Sequence, residues 1–148
     1  MRGNSQLLRS ANSYVRELRT MKTPFILLFT NDNELKDLVA QALSEIGGVS
    51  HLARDVNEAL ETVRCAPSLD FAIVDFEHGS EGLTLLRAIN ALCRYLPVIV
   101  VTGDDDSRVA AVAYTNGAAA CLAKPVSAAQ LVSTIRKLGL FEPELAAA

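Results

Sequence analysis

The stretch FAIVDFEHGSEG, residues 71–82, places four apolar residues directly before Asp75 and a polar, glycine-containing turn directly after it. A short apolar run that is bounded by turn residues is typical of a strand buried on both faces of a sheet. The pattern therefore predicts a buried strand that presents one carboxylate at its carboxyl end.

Similar apolar runs recur on either side of this stretch, at 25–29, 98–101 and 119–123, with a weaker one at 49–53. The segments between the runs carry apolar residues at helical spacing, the first of them at Leu35, Leu38, Val39, Ala42 and Leu43. Five successive strand–helix units predict an α/β domain with a parallel sheet and helices on both of its faces. We expect every strand except the weak one to be buried on both sides, and Gly47 and Gly48 to end the first helix.

Composition narrows the class of protein. The chain has 148 residues, of which 50% are hydrophobic and 21% charged, as is ordinary for one globular domain. No apolar run approaches the roughly 18 residues of a membrane-spanning helix, and no secretory cleavage pattern follows the N-terminus, so we expect a cytoplasmic protein. The three cysteines have no CxxC spacing and favour neither a disulfide framework nor a zinc site.

Charge is distributed unevenly along the chain. Residues 1–22 contain five basic residues against Glu17 alone, a balance of +4, so the remainder carries −7 and the whole chain −3. An acidic main body repels phosphate backbones, and we therefore expect no nucleic-acid partner.

Polar residues stand where four of the predicted strands end. They are Thr30, Asn31 and Asp32 after the first strand, Asp75 at the third, Thr102 (followed by Gly103) at the fourth, and Lys124 (followed by Pro125) after the fifth. In an open parallel sheet, ligands bind beyond the carboxyl ends of the strands, near the point where the strand order reverses. The sequence thus predicts that a carboxylate, a hydroxyl and an ammonium group converge on one edge of the sheet.

From 24 to about 140 the sequence resembles the receiver domains of two-component response regulators. The resemblance rests on FAIVD, PVIVVTG and GAAACLAKPV, which occur in the expected order on the expected strands. It implies a flavodoxin-like, doubly wound five-stranded sheet of order 2-1-3-4-5. It also implies that Asp75 is the phosphoacceptor, that Thr102 is the switch hydroxyl and that Lys124 contacts the phosphoryl group.

The sequence departs from this family pattern at the magnesium site. Receivers usually carry two acidic residues after the first strand, but the alignment that keeps the following helix in phase places Thr30 and Asn31 there. Shifting by one residue to use Asp32 would put that helix out of phase, so we do not favour it. Asp75, Asn31 and Glu77 would then form a weak Mg²⁺ site, if any, because Mg²⁺ prefers carboxylate ligands.

Two further departures concern the neighbourhood of Asp75. The turn to Gly82 is one residue shorter than usual and lacks the customary proline. Cys121 stands three residues before Lys124, where many relatives have an aromatic residue whose rotamer reports phosphorylation. We expect that switch to be weakened here.

The N-terminal extension, residues 1–23, contains a candidate helix. In QLLRSANSYVRELRTM, residues 6–21, apolar side chains recur on one helical face and arginines lie elsewhere. A dimerisation or docking helix, which would make the protein a homodimer or add a partner, and a disordered tail both fit this pattern. The basic face is also a weaker candidate for contact with anionic surfaces. Residues 141–148 are predicted to be a C-terminal tail.

Three functional hypotheses follow. The leading one is a single-domain receiver that accepts phosphate on Asp75 from a histidine kinase or phosphotransfer protein and signals through a downstream protein target. The alternative is a degenerate receiver that acts as a phosphate-independent interaction module. A flavin-binding protein is disfavoured, because FTNDNEL lacks a phosphate-binding loop rich in small residues. Nothing in the sequence suggests turnover of an external substrate, so we do not expect an enzyme.

Overall fold

The computed structural model describes residues 23–76, 81–103 and 107–139, and these form an α/β domain. Five parallel strands make one sheet of order β2-β1-β3-β4-β5. The strands are β1 (Phe25–Phe29), β2 (Val49–Ala53), β3 (Phe71–Asp75), β4 (Val98–Thr102) and β5 (Ala120–Ala123). The predicted fold class and strand order are therefore confirmed.

Helices separate the strands in the described part of the chain. They are α1 (Asn33–Ile46), α2 (Val56–Cys65), α3 (Glu81–Leu92), α4 (Ser107–Thr115) and α5 (Ala128–Lys137). The predicted N-terminal helix, the whole of the predicted C-terminal tail and Glu77 lie outside the described residues.

The sheet has a hydrophobic core on each face, as the doubly wound prediction requires. Side chains alternate along β1, so that Ile26 and Leu28 pack with α1 and α5, whereas Leu27 and Phe29 pack with residues of α2, α3 and α4. All five residues of β3 are buried. A strand covered on both faces has no solvent-facing position, which explains the continuous apolar run before Asp75.

One expectation about burial is wrong. The run at 119–123 was expected to form a strand buried on both sides, yet only Ala120 of β5 is buried and the other three residues are partly exposed. The reason is position, because β5 lies at the edge of the sheet and has a neighbouring strand on one side only. Edge strands have less cover than central strands of similar composition.

The two ends of α1 follow the predicted chemistry. Asp32 caps the helix, because its Oδ1 accepts a hydrogen bond from the backbone N–H of Glu34 at 3.0 Å. At the other end Gly47 takes the left-handed conformation, with φ of 72°, and its N–H donates to the carbonyl of Leu43. The prediction that Gly47 and Gly48 end this helix is confirmed.

Asp70 attaches the start of β3 to the start of β1. Its Oδ2 accepts from the backbone N–H of Phe25 at 2.7 Å, and its own N–H donates to the Phe25 carbonyl at 2.8 Å. These two bonds join β1 to β3 one residue before the first pair of their ladder, Ile26 with Phe71. This side chain therefore holds the first residue of β1 against the start of β3.

We expect Asp70→Ala to lower the free energy of unfolding by about 1–3 kcal/mol, because the Phe25 N–H loses its acceptor in a partly buried place. Urea denaturation followed by circular dichroism measures the change. Asp37→Ala, which removes an exposed carboxylate of α1, is the matched control. Equal stability of the two variants would contradict the structural role of Asp70.

Candidate functional site

The carboxyl ends of four strands meet at one edge of the sheet and bring the predicted polar residues together. Asp75 is the last residue of β3 and Thr102 the last of β4, while Thr30 and Lys124 directly follow β1 and β5. Asp75 pairs in register with Val101, one position from Thr102. Parallel strands end on the same side, so this clustering follows from the topology.

Asp75 is completely buried, with 0% exposure, and two donors contact its Oδ2 atom. The hydroxyl of Thr30 donates to it at 2.6 Å, and the ammonium of Lys124 donates at 3.0 Å. An ionised carboxylate removed from water costs several kcal/mol unless it is paired and hydrogen-bonded. Thr30 and Lys124 provide that compensation from the ends of two other strands.

Thr30 has a second contact that fixes its hydroxyl. Its Oγ1 accepts from the backbone N–H of Asp32 at 3.0 Å while it donates to Asp75. Thr30 is itself only 3% exposed. The residue that replaces one of the expected acids is thus a buried hydrogen-bonding link between the ends of β1 and β3.

Lys124 bridges two carboxylates. Its Nζ lies 2.8 Å from Oδ2 of Asp32 and 3.0 Å from Oδ2 of Asp75. The hydrogen bond from Lys124 lowers the pKa of Asp32 below its ordinary value of 3.8, against an opposing effect of burial. Because the folded-state pKa is lowered, this pair stabilises the fold above that ordinary value and is lost as the pH falls through the folded pKa.

For the other predicted site residues, the structure gives burial and backbone contacts. Thr102 is buried, and its carbonyl accepts from the backbone N–H of Lys124 at 2.8 Å. Asn31 is exposed at the surface. Glu77 lies outside the described residues, so the predicted contact of Glu77 with the Asp75 site stays a prediction.

Asp32 is the site residue that the sequence reasoning did not select. The helix phase that argued against it is correct, since Leu35, Val39 and Leu43 are all buried as that alignment requires. Asp32 nevertheless reaches the site, because the cap of α1 turns its carboxylate toward Lys124. The sequence could have indicated the cap, since an aspartate that directly precedes a helix is a favoured N-cap residue.

Gly82 allows α3 to begin close to Asp75. A Cβ atom at this position would stand 2.7 Å from the Asp75 carbonyl oxygen and 2.9 Å from the ring of Phe76. Such distances are shorter than ordinary contacts, so the absence of a side chain permits the helix to pack here.

A groove of about 400 Å³ opens beside the site. It runs between the first turns of α1 and the segment 124–126, and its lining includes Asp32, Gly103 and Lys124. Leu35, Leu38 and Val126 contribute apolar side chains to the lining. A ligand in this groove would reach Lys124 and Asp32 first, since Asp75 is buried behind them.

Neither a metal-binding cluster nor a membrane-spanning helix is found among the described residues. Within 23–76, 81–103 and 107–139, no group of three or more His, Cys, Asp or Glu side chains is arranged to hold a metal ion. Over the same ranges, the helices are too short or too polar to cross a membrane.

Known proteins resemble this chain in sequence. The sensory/regulatory protein RpfC of Xanthomonas campestris pv. campestris is 29% identical over 97% of this chain and 20% of its own length. The C4-dicarboxylate transport transcriptional regulatory protein DctD of Rhizobium meliloti is 36% identical over 77% of this chain and 25% of its own length. The chain therefore spans only a fifth to a quarter of these relatives.

Solved structures and a family model agree with the fold. The CheY-like response regulator receiver domain protein of Methanospirillum hungatei JF-1 matches with a TM-score of 0.70 and 25% identity, over 84% of this chain and 99% of that structure. The model of the response regulator receiver domain matches residues 26–136, most of the chain and every strand of the sheet except the first residue of β1. The chain belongs to the response regulator receiver domain family.

Proposed function

We propose that this receiver accepts a phosphoryl group on Asp75 from a histidine kinase or a phosphotransfer protein. Phosphoryl acceptance is typical of the family to which the chain belongs. The observation that carries the proposal for this residue is the Lys124 ammonium 3.0 Å from the Asp75 carboxylate, at the carboxyl edge of the sheet. A carboxylate beside a fixed cation can meet a phosphoryl group of like charge.

The transfer is a displacement at phosphorus. One carboxylate oxygen of Asp75 forms a bond to the phosphorus of a phosphohistidine, and the bond between nitrogen and phosphorus breaks. The electron pair of that bond returns to the imidazole ring, and the product is an aspartyl phosphate. Lys124 stabilises the negative charge on the phosphoryl oxygens during the transfer.

Thr102 supports the second part of the proposal, which is signalling. Its backbone carbonyl is bonded to the N–H of Lys124, so the ends of β4 and β5 are connected next to Asp75. A hydroxyl at this position can donate to a phosphoryl oxygen and transmit the new contact to α4 and β5, where a downstream protein would bind. We propose that output passes through such a partner and that the chain is not an enzyme.

Magnesium fits the described residues poorly. Receiver domains typically bind Mg²⁺ in an acidic pocket. Here Asn31 is neutral and exposed, and the carboxylates of Asp32 and Asp75 are both bonded to Lys124. Mg²⁺ needs oxygen ligands in near-octahedral geometry at about 2.0–2.1 Å. We propose a weak Mg²⁺ affinity, with Glu77 as a supplementary ligand.

The burial of Asp75 supports a second candidate function. The carboxylate is 0% exposed, and Thr30 and Lys124 already compensate it. A pocket that is satisfied in this way is stable without a phosphoryl group or a metal ion. It is therefore suited to a degenerate receiver that binds partners independently of phosphate.

We place the receiver domain at 24–140, between an N-terminal extension at 1–23 and a C-terminal tail at 141–148. We also place the protein in the cytoplasm, since Cys65, Cys93 and Cys121 are free thiols, as is usual in a reducing compartment.

Acetyl phosphate tests the acceptor directly. After incubation of the full chain, intact mass spectrometry should show the addition of one phosphoryl group, and Asp75→Asn should abolish it because the nucleophilic oxygen is lost. Asp37→Asn removes a carboxylate on the exposed face of α1 and serves as the control. An unmodified natural protein would favour the phosphate-independent module.

Calorimetry tests the magnesium proposal. We expect the natural protein to bind Mg²⁺ in the millimolar range or more weakly. Thr30→Asp combined with Asn31→Asp should tighten binding by at least about tenfold, on the order of 1.4 kcal/mol, because it restores two carboxylates at the end of β1. Glu77→Gln should abolish the residual binding of the natural protein but leave the restored variant largely competent.

A further inference from the structure

The ammonium of Lys124 lies between the two carboxylates of the site. Its distances to Asp32 and Asp75, 2.8 and 3.0 Å, are both hydrogen-bond distances, and each bond joins oppositely charged groups. The lysine side chain is only 16% exposed, and Asp75 is not exposed at all. Lys124 is therefore part of the interior of the pocket.

A divalent ion that bound these same two Oδ2 atoms would occupy this position. Such an ion would approach each carboxylate oxygen more closely than the ammonium does, since Mg–O distances are about 2.0–2.1 Å. It would have to displace Lys124 and would then be repelled by the displaced positive charge. The lysine and a divalent ion are thus competitors for the same two oxygens.

Asp32 is held in place independently of Lys124. Its Oδ1 accepts from the N–H of Glu34 at 3.0 Å, and its own N–H donates to Thr30 Oγ1 at 3.0 Å. These contacts anchor the residue to α1 and to the end of β1. Its remaining oxygen, Oδ2, is directed to Lys124.

We propose that Lys124 is the resident cation of this pocket, that Asp32 positions it over Asp75, and that the pocket receives a phosphoryl group without a bound divalent ion. The role assigned to the phosphoryl group rests on the proposed function of Asp75. The competition between Lys124 and a divalent ion rests on the geometry alone. The proposal gives Asp32 a positioning role through its contact with Lys124.

Removal of the ammonium should create a divalent site. Lys124→Met leaves Asp32 and Asp75 without their shared cation, and we expect its Mg²⁺ affinity to exceed that of the natural protein by at least about tenfold. Adding Asp32→Asn to Lys124→Met should cancel the gain, while Asn keeps the helix cap. Calorimetric titrations measure the Mg²⁺ affinity of all three proteins. They are made at constant ionic strength, because salt screens interactions between charges.

Lys137→Met is the matched control, since it removes the same charge from an exposed position on α5 and should leave Mg²⁺ affinity unchanged. Circular dichroism establishes that each variant is folded, and Lys124→Gln is the second variant if the methionine disrupts the pocket. Equal Mg²⁺ affinity in the natural protein and in the Lys124 variant would overturn the proposal. So would a gain that persists after Asp32→Asn, or tight Mg²⁺ binding by the natural protein.

A second measurement addresses the phosphoryl group. The natural protein should gain the phosphoryl mass from acetyl phosphate to the same extent in EDTA as in Mg²⁺, and modification only in Mg²⁺ would overturn the proposal. If no mass is gained in either solution, the proposed acceptor function fails. The titrations still decide in that case whether Lys124 competes with divalent ions.

Discussion

The structure of this site depends on one constraint, which is that the carboxylate of Asp75 is ionisable and has no contact with water. The central position of β3 imposes this burial, because strands and helices cover it on both sides. A buried carboxylate is stable only if other groups bond to it. Thr30 and Lys124 supply those bonds from the ends of β1 and β5, so the sheet edge is assembled around the charge.

The same constraint explains why neutral residues are tolerated after β1. Two further carboxylates beside Asp75 would add like-charge repulsion, which a bound cation would have to offset. Thr30 adds no charge and donates a hydrogen bond instead. Asp32 is two residues further along the chain than Thr30 and lies next to Lys124, which compensates its charge at 2.8 Å. Among the described residues, the pocket therefore has one ammonium for two carboxylates, and it needs less external positive charge than a pocket with additional acids.

The sheet and the positions of Asp75, Thr102 and Lys124 were predictable, because burial imposes a continuous apolar run and parallel strands bring their carboxyl ends together. The contact between Lys124 and Asp32 was not, since it joins residues 92 positions apart through a side-chain direction that a helix cap determines. The exposure of β5 was missed for a related reason. Its composition resembles that of a central strand, and only the strand order places it at the edge.

The charge balance also indicates which contact a phosphoryl group would change. Asp32, Asp75 and Lys124 together have a formal charge of −1, and a phosphoryl group adds about −1.5 to −2 at neutral pH while it masks the Asp75 carboxylate. The new oxygens and Asp32 would then compete for the single ammonium. Asp32 is the more exposed carboxylate and remains bonded to the Glu34 N–H without Lys124. Its ion pair is thus the less costly one to break, and the released carboxylate would remain in the lining of the groove beside the first turn of α1.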